Sequence, residues 1–309
     1  MSAPLVALTG TTGFVGRALA ADLRAHGYRV RALLRRPSDE AAAADSAVIG
    51  DLARPVNMAR ALEDVDVVVH SAGIAHAMSG RPDDDYRAIN TDATIALARA
   101  AERAGGRRFL FLSSVRAQTG PSAAGIVSET TPPAPTDAYG RSKLAAEEGL
   151  AALAIDWAAL RPVLVYGPGV KGNMASLLRL ARSPWPIPVP IPSGRRSLLA
   201  VENLGEAVRT LITAEGTLRQ PCLVADDDAL DVAAILRALR RGAGRGMPNL
   251  PVPAPLFRAL ARAAGRGEVA ERLSGDLVVD TSRLKALGYA PVVTTEAALA
   301  RLAREATSE

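Results

Sequence analysis

The first half of the chain alternates short apolar runs with longer stretches in which apolar residues recur every three or four positions. LVALTG, RVRALL, AVIG, VDVVVHSAG and RRFLFLSS are the apolar runs. Helices are predicted over 14–26, near 55–62, within 85–104 and near 138–154. Runs this apolar suit strands covered by helices on both faces, so the order of elements predicts an α/β fold with a doubly wound parallel sheet. DWAALRPVLVYG, at 156–167, predicts one further strand.

The texture changes after residue 166. SPWPIPVPIPSGRRS, at 183–197, carries five prolines and is expected to be a loop or lid, because proline removes the amide donors that a helix or central strand needs. A helix near 202–213, a strand QPCLVAD, helices near 229–240 and 254–264, and a C-terminal helix near 295–306 complete the pattern. No internal repeat or clear linker divides the chain, so a smaller second region is expected to be interleaved with the first.

Composition narrows the class. Among 309 residues, 49% are hydrophobic and 22% charged, and the apolar runs are strand-sized, which predicts a soluble protein. The N-terminus enters a strand without a basic start and a long apolar segment, so no secretory signal is expected. Cys222 is the only cysteine, in keeping with a reducing cytoplasmic location. The net charge of +5 comes from 34 arginines and three lysines scattered along the chain with few aromatic residues, so no nucleic-acid partner is expected.

ALTGTTGFVGRALAADL places Gly10, Gly13 and Gly16 between a strand and a helix. Glycines there allow a tight turn and close backbone approach, and the helix N-terminus offers free N–H groups to a pyrophosphate. Together with the surrounding βαβ unit, this predicts a Rossmann-type dinucleotide site; the alternative is a structural turn in an α/β fold without a ligand. Arg35 and Arg36 follow Gly16 by nineteen and twenty residues, at the end of the second strand, where a carboxylate would bind the ribose 2′-OH of NAD. A guanidinium there accommodates a 2′-phosphate, so NADP(H) is favoured, with NAD(H) as the alternative; a pair of solvated arginines is the bland reading. Asp51, after the third strand, is a candidate for the adenine amino group or a plain turn residue.

DAYGRSKLAAEE sets Tyr139 and Lys143 four apart on one helix face. With only five tyrosines and three lysines in the chain, the pairing is unlikely by chance. A phenolate poised near neutrality needs its pKa lowered by about 3 units, roughly 4 kcal/mol, which a nearby ammonium helps to provide. FLFLSS ends in Ser113 and Ser114 at the sheet edge where ligands bind in such folds; they are read as turn formers or as a hydroxyl that holds a reacting oxygen. His70 and His76 are read as packed or capping residues, and no metal site is expected.

In this order and spacing, the glycines, Asp51, HSAG at 70–73, Asn90 in NTDAT, FLSS, YGRSK and RPVLVYGPG resemble the extended short-chain dehydrogenase/reductase superfamily. Within it the chain resembles the NAD(P)-dependent epimerase/dehydratase branch, especially bacterial UDP-sugar 4-epimerases and 4-ketoreductases. The resemblance implies Tyr139 as general acid/base, Lys143 as its electrostatic partner, Ser114 as the hydroxyl on the substrate oxygen, and Asn90 as mainly structural. It implies a cofactor cleft formed by Gly10, Thr12, Gly13, Phe14, Val15, Gly16, Arg35, Arg36, Asp51, Leu52, Ser71, Ala72, Gly73, Tyr139, Lys143 and Pro162. Substrate contacts implied beside Ser114 are Arg116, Asn173, Arg196 and Arg272. It also implies a dinucleotide-binding domain over 1–165 with returning pieces near 196–225, a mainly substrate-binding region over 166–195 and 226–309, and a homodimer built on the helices near 85–104 and 138–154.

Two chemistries suit such a site. An epimerase oxidises and re-reduces one substrate around a retained NAD, whereas a ketoreductase uses exchangeable NADPH. Because of Arg35 and Arg36, the expectation is an NADP(H)-preferring reductase or dehydrogenase acting at C4 of a nucleotide-diphosphate sugar. The alternatives are a UDP-sugar 4-epimerase, a reductase of a steroid-like alcohol or ketone, and a non-catalytic dinucleotide sensor.

Overall fold

A computed structural model describes residues 3–37, 45–74, 82–246, 249–263, 265 and 275–308. The chain opens with β1 (Leu5–Thr9), α1 (Phe14–Ala25), β2 (Arg29–Leu34) and β3 (Ser46–Val48). A small hairpin, β4 (Gly50–Asp51) and β5 (Arg54–Pro55), precedes α2 (Met58–Ala61), a single turn that lies within the helix predicted near 55–62. Then come β6 (Val67–His70), α3 (Asp83–Tyr86), a π-helical stretch Arg87–Asp92, α4 (Ala93–Arg103), β7 (Arg108–Leu112), β8 (Ile126–Val127), α5 (Ala138–Ala151) and β9 (Asp156–Pro162).

Seven strands form a parallel sheet in the order β13–β9–β7–β6–β1–β2–β3, with β13 at Gln220–Val224. The chain runs outward from β1 to β3, then returns to the other side of β1 with β6. This reversal leaves a crevice beyond the carboxyl ends of β1 and β6, the place where ligands bind in open parallel sheets. The strands pack on both faces, as their unbroken apolar runs require. One core joins Val6, Leu8, Val67 and Leu110 to Leu19 and Leu23 of α1 and Leu204 and Leu211 of the following layer. The other joins Leu5, Val68 and Phe109 to Leu97 and Leu150.

The strand predicted over 156–167 is two strands. Pro162 ends β9, and β10 (Leu164–Tyr166) leaves for a second sheet. After α6 (Gly172–Ala181) and β11 (Ile187–Ile191), that sheet continues with β12 (Arg195–Ala200), parallel to β10, and, beyond α7 (Val201–Thr213), with β14 (Ala229–Asp231), antiparallel to β12. α8 (Val232–Gly242), β15 (Asn249–Pro253), α9 (Ala254–Ala263), β16 (Val278–Val279), α10 (Ser282–Lys285) and α11 (Thr295–Ser308) complete the described chain. A third core gathers Met174, Leu198, Ile235, Leu239, Leu299 and Leu302.

The proline-rich segment, expected to be a loop or lid, contains β11, which pairs in parallel with β15. Its prolines do not prevent this because Pro188 and Pro190 occupy alternate positions. The intervening Ile187, Val189 and Ile191 keep their amides for the single partner strand.

Candidate active site

The crevice is built from the loops that leave β1, β6, β7 and β9. Gly10, at φ +76°, turns the chain back so closely that an added Cβ would lie 2.9 Å from the Ala72 amide nitrogen. A Cβ on Gly16 would lie 2.1 Å from the Gly10 carbonyl oxygen, so α1 packs directly onto the turn. Gly13 caps α1 without a side chain, and no acidic residue occupies the first helical turn. The amides of Phe14, Val15 and Gly16 therefore begin a helix with no protein anion to meet them. Thr12 is exposed beside them, and Thr11 Oγ1 is enclosed with no hydrogen-bond partner.

Buried polar groups fix the opposite wall. Thr94 Oγ1 donates to the Asn90 carbonyl at 2.7 Å, so it accepts from His70 Nε2 at 3.0 Å. His70 Nδ1 then accepts from Thr9 Oγ1 at 2.8 Å, and that oxygen receives the amides of Ser71 and Ala72 at 3.1 and 3.0 Å. Burial drives the His70 pKa down to about 3, with the Lys143 charge acting in the same direction, so the ring is neutral. Asn90 lies in the π-helical stretch, accepts from the Ile74 amide at 2.8 Å and donates to the Ile74 carbonyl at 3.0 Å. It also donates to Ser142 Oγ at 3.1 Å, tying the β6 loop to α5. A Cβ on Gly73 would lie 2.8 Å from Asn90 Oδ1 and 3.5 Å from Lys143 Nζ.

Ser114, Tyr139 and Lys143 meet at the end of β7. Ser114 hydrogen-bonds the Tyr139 phenol. Its Oγ also accepts the Arg116 amide at 3.1 Å. Burial holds the Tyr139 pKa above the usual phenol range, and the Ser114 bond opposes that shift. Lys143 Nζ donates to the Leu112 carbonyl at 2.8 Å and sits 6.0 Å from the Tyr139 ring centre. Burial pushes its pKa down to about 7 against the pull of Glu147. Ser113 points elsewhere: its hydroxyl donates to Glu147, whose carboxylate pairs with Arg161 in a buried cluster that includes Gln118.

The remaining expected residues are dispersed. Arg116 pairs with Asp137, which caps α5 by accepting the Gly140 amide at 2.7 Å, so its guanidinium braces the helix that carries Tyr139. Arg196, on β12, donates to the Pro121 carbonyl at 2.6 Å; burial lowers its pKa against the opposing charge of Asp276. Asn173 is exposed in the first turn of α6, and Pro162 ends β9. Asp51 accepts the Ala53 amide at 2.9 Å as a turn residue, with Leu52 packed beside the second core. Arg272 and His76 lie outside the described residues.

Thr9, Thr94, Glu147 and Arg161 are site-shaping residues that sequence reasoning missed. The available signal was a polar residue ending an apolar strand, as in LVALT and VVVH, and a carboxylate one turn beyond Lys143.

A family model described as "NAD dependent epimerase/dehydratase family" matches residues 6–221. A UDP-glucose 4-epimerase of Vibrio cholerae is 34% identical over 305 residues, covering 94% of this chain and 92% of the relative. Among solved structures, MoeE5 in complex with UDP-glucose and NAD aligns with a TM-score of 0.74 at 24% identity over 98% of each chain. UDP-glucuronic acid 4-epimerase from Bacillus cereus in complex with NAD aligns with a TM-score of 0.77 at 17% identity, again over 98% of each chain.

The expected NADP(H) preference is overturned. These two similar structures were solved with NAD. Arg35 and Arg36 are exposed beyond the end of β2. Guanidinium groups there can stack on an adenine, which NAD and NADP share, so their presence does not select the phosphorylated ribose.

Proposed function

Because the chain belongs to the NAD dependent epimerase/dehydratase family, we propose that it is an NAD-retaining 4-epimerase of a nucleotide-diphosphate sugar. The observation that carries this reading is the buried meeting of Ser114, Tyr139 and Lys143 beside the glycine turn. The nearly full-length similarity to the Vibrio cholerae epimerase supports the substrate class.

The glycine turn fits a dinucleotide: Cβ atoms on Gly10 or Gly16 would fill the cradle, and α1 presents uncapped amides there. Gly13, Phe14, Val15 and Gly16 would hold the pyrophosphate, and Lys143 would reach the ribose. The chemistry a bound NAD would supply there is reversible hydride exchange with the sugar carbon.

Tyr139 Oη removes the sugar hydroxyl proton as that carbon is oxidised and restores it as the carbon is reduced, so proton and hydride leave and return together. Ser114 Oγ holds the sugar oxygen against the phenol. The Lys143 ammonium stabilises the phenolate across a buried, low-dielectric gap. The His70 network holds the start of the β6 loop in place through the Ser71 and Ala72 amides on Thr9 Oγ1.

Mass spectrometry of ligand released from the purified protein should find NAD. Incubation with UDP-glucose should yield UDP-galactose without added cofactor, and Tyr139→Phe should abolish that turnover while still carrying NAD. Release of NADP, or conversion only when NADPH is supplied, would sink the proposal.

A further inference from the structure

Two residues hold the turn after β7 against the first turn of α5. The Arg116 amide donates to Ser114 Oγ at 3.1 Å, so the oxygen that meets the Tyr139 phenol is held by the backbone that follows it. The Arg116 carbonyl packs on Gly140, where an added Cβ would overlap its oxygen. Its guanidinium Nη2 donates to Thr136 Oγ1 at 3.2 Å and pairs with the Asp137 carboxylate. The other oxygen of that carboxylate accepts the Gly140 amide at 2.7 Å.

An uncharged contact would suffice to pack a turn on a helix. An ion pair here does more, because Asp137 stands two residues before Tyr139 and Arg116 two residues after Ser114. The side chains are 15% and 26% exposed for Arg116 and Asp137, so water screens their charges only in part. Burial holds the Tyr139 phenol above its usual range and the Ser114 bond opposes it; beyond these, Asp137 disfavours the phenolate and Arg116 favours it. Lys143 Nζ lies 6.0 Å from the Tyr139 ring centre, and the Tyr86 ring of α3 lies 6.4 Å away. Asp83 of α3 pairs with Arg141 of α5 at 3.1 Å, and Glu147 pairs with Arg161, so both carboxylates are compensated elsewhere.

We propose that Arg116 and Asp137 are a positioning pair for the reaction, which registers the Ser114 hydroxyl against Tyr139 Oη and places two opposed charges beside the phenol. This role rests on Tyr139 being the group that moves the sugar hydroxyl proton. Neither residue needs to touch the sugar. Loss of the Arg116 charge leaves Asp137 acting alone on the phenol, so the phenolate forms at higher pH. Loss of the Asp137 charge leaves Arg116 acting alone, so the phenolate forms at lower pH. A brace without electrostatic reach produces neither shift.

The test measures UDP-glucose turnover across pH in Arg116→Gln, Arg116→Lys and Asp137→Asn, together with tyrosinate absorbance of the NAD-bound full chain, the Tyr139→Phe spectrum being subtracted. Asparagine keeps the helix cap while removing the charge. Arg116→Gln should lower kcat at least about tenfold while KM for the sugar changes less than about threefold. Its acidic limb of turnover and its tyrosinate midpoint should both move to higher pH, those of Asp137→Asn to lower pH, and Arg116→Lys should keep the parent positions. If Arg116→Gln does not fold, the Asp137→Asn shift decides alone. Opposed shifts support the pair. Unmoved midpoints, or shifts of one sign in both variants, overturn it. Opposed tyrosinate midpoints in a chain that leaves UDP-glucose unchanged would keep the pair and remove the epimerase reading instead.

Discussion

Lys143 Nζ donates to the main-chain oxygen of Leu112 at 2.8 Å, which fixes an ammonium beside the Tyr139 ring at the end of β7. Holding that ammonium in a buried place has an energetic consequence as well as a catalytic one. Its pKa falls from 10.5 to about 7 through burial. Between those values the unfolded chain binds a proton that the folded chain releases, so this group makes stability rise with pH across the interval and costs most below it. Lys143→Met should therefore raise stability at pH 7 by about 2 kcal/mol, with the gain vanishing near pH 10.5, while turnover falls at least about 100-fold. Urea unfolding at several pH values, without added dinucleotide, checks the first part. A destabilised variant at pH 7 would contradict it.

His70 gives the opposite edge of the pH range. Its folded pKa of about 3 lies below the ordinary 6.5. The stability it contributes is present above 6.5 and is lost as pH falls toward 3, where the unfolded chain takes up the proton first. His70→Gln should destabilise the protein at pH 7.5 by about 1–3 kcal/mol, because buried partners on Thr9 and Thr94 lose their match. The difference from the parent should shrink toward pH 4. A constant difference across that window would show that protonation of His70 plays no part.

Glu147 and Arg161 form a pair in which both side chains are 4% exposed. Glu147→Gln leaves Arg161 buried and uncompensated and should cost about 3–5 kcal/mol in urea unfolding, whereas Glu147→Met/Arg161→Met should recover most of that loss. Glu147 also raises the Lys143 pKa. Its neutralisation should move the alkaline limb of turnover to lower pH, because the Lys143 cation is then lost earlier. An unmoved limb would separate the pair from the active site.

Gly16→Ala and Gly13→Ala should differ sharply. The first added methyl meets the Gly10 carbonyl at 2.1 Å, the second at 3.3 Å. NAD binding, followed by titration of the ligand-stripped protein, should be lost in Gly16→Ala and weakened by no more than about tenfold in Gly13→Ala. Equal losses would mean that the close packing of α1 onto the turn is not what the site needs.

Much of the layout was legible along the chain because it rests on local rules. Unbroken apolar runs separated by helical periodicity specify buried parallel strands, and glycines between a strand and a helix specify a turn that backbone can approach. Tyr139 and Lys143 share a helix face, so four-residue spacing sufficed to pair them. Arg35 and Arg36 misled for the opposite reason. Their position beyond β2 is local, but cofactor choice depends on what the whole pocket does to the ribose, and a guanidinium is compatible with both forms.

The sequence by itself determined the parallel sheet, the glycine turn and the chemical types gathered at the end of β7, since hydrophobic period and backbone freedom act over a few residues. Only the tertiary structure decided which groups complete the site. Thr9 and His70 are 61 positions apart, and Ser113 and Glu147 are 34 apart. Burial, proton positions and charge compensation arise from neighbours brought together by folding. The same holds for the proline-rich segment, which becomes a strand because β15 supplies a partner, and for Arg116 and Asp137, 21 positions apart, whose ion pair forms only once α5 is packed.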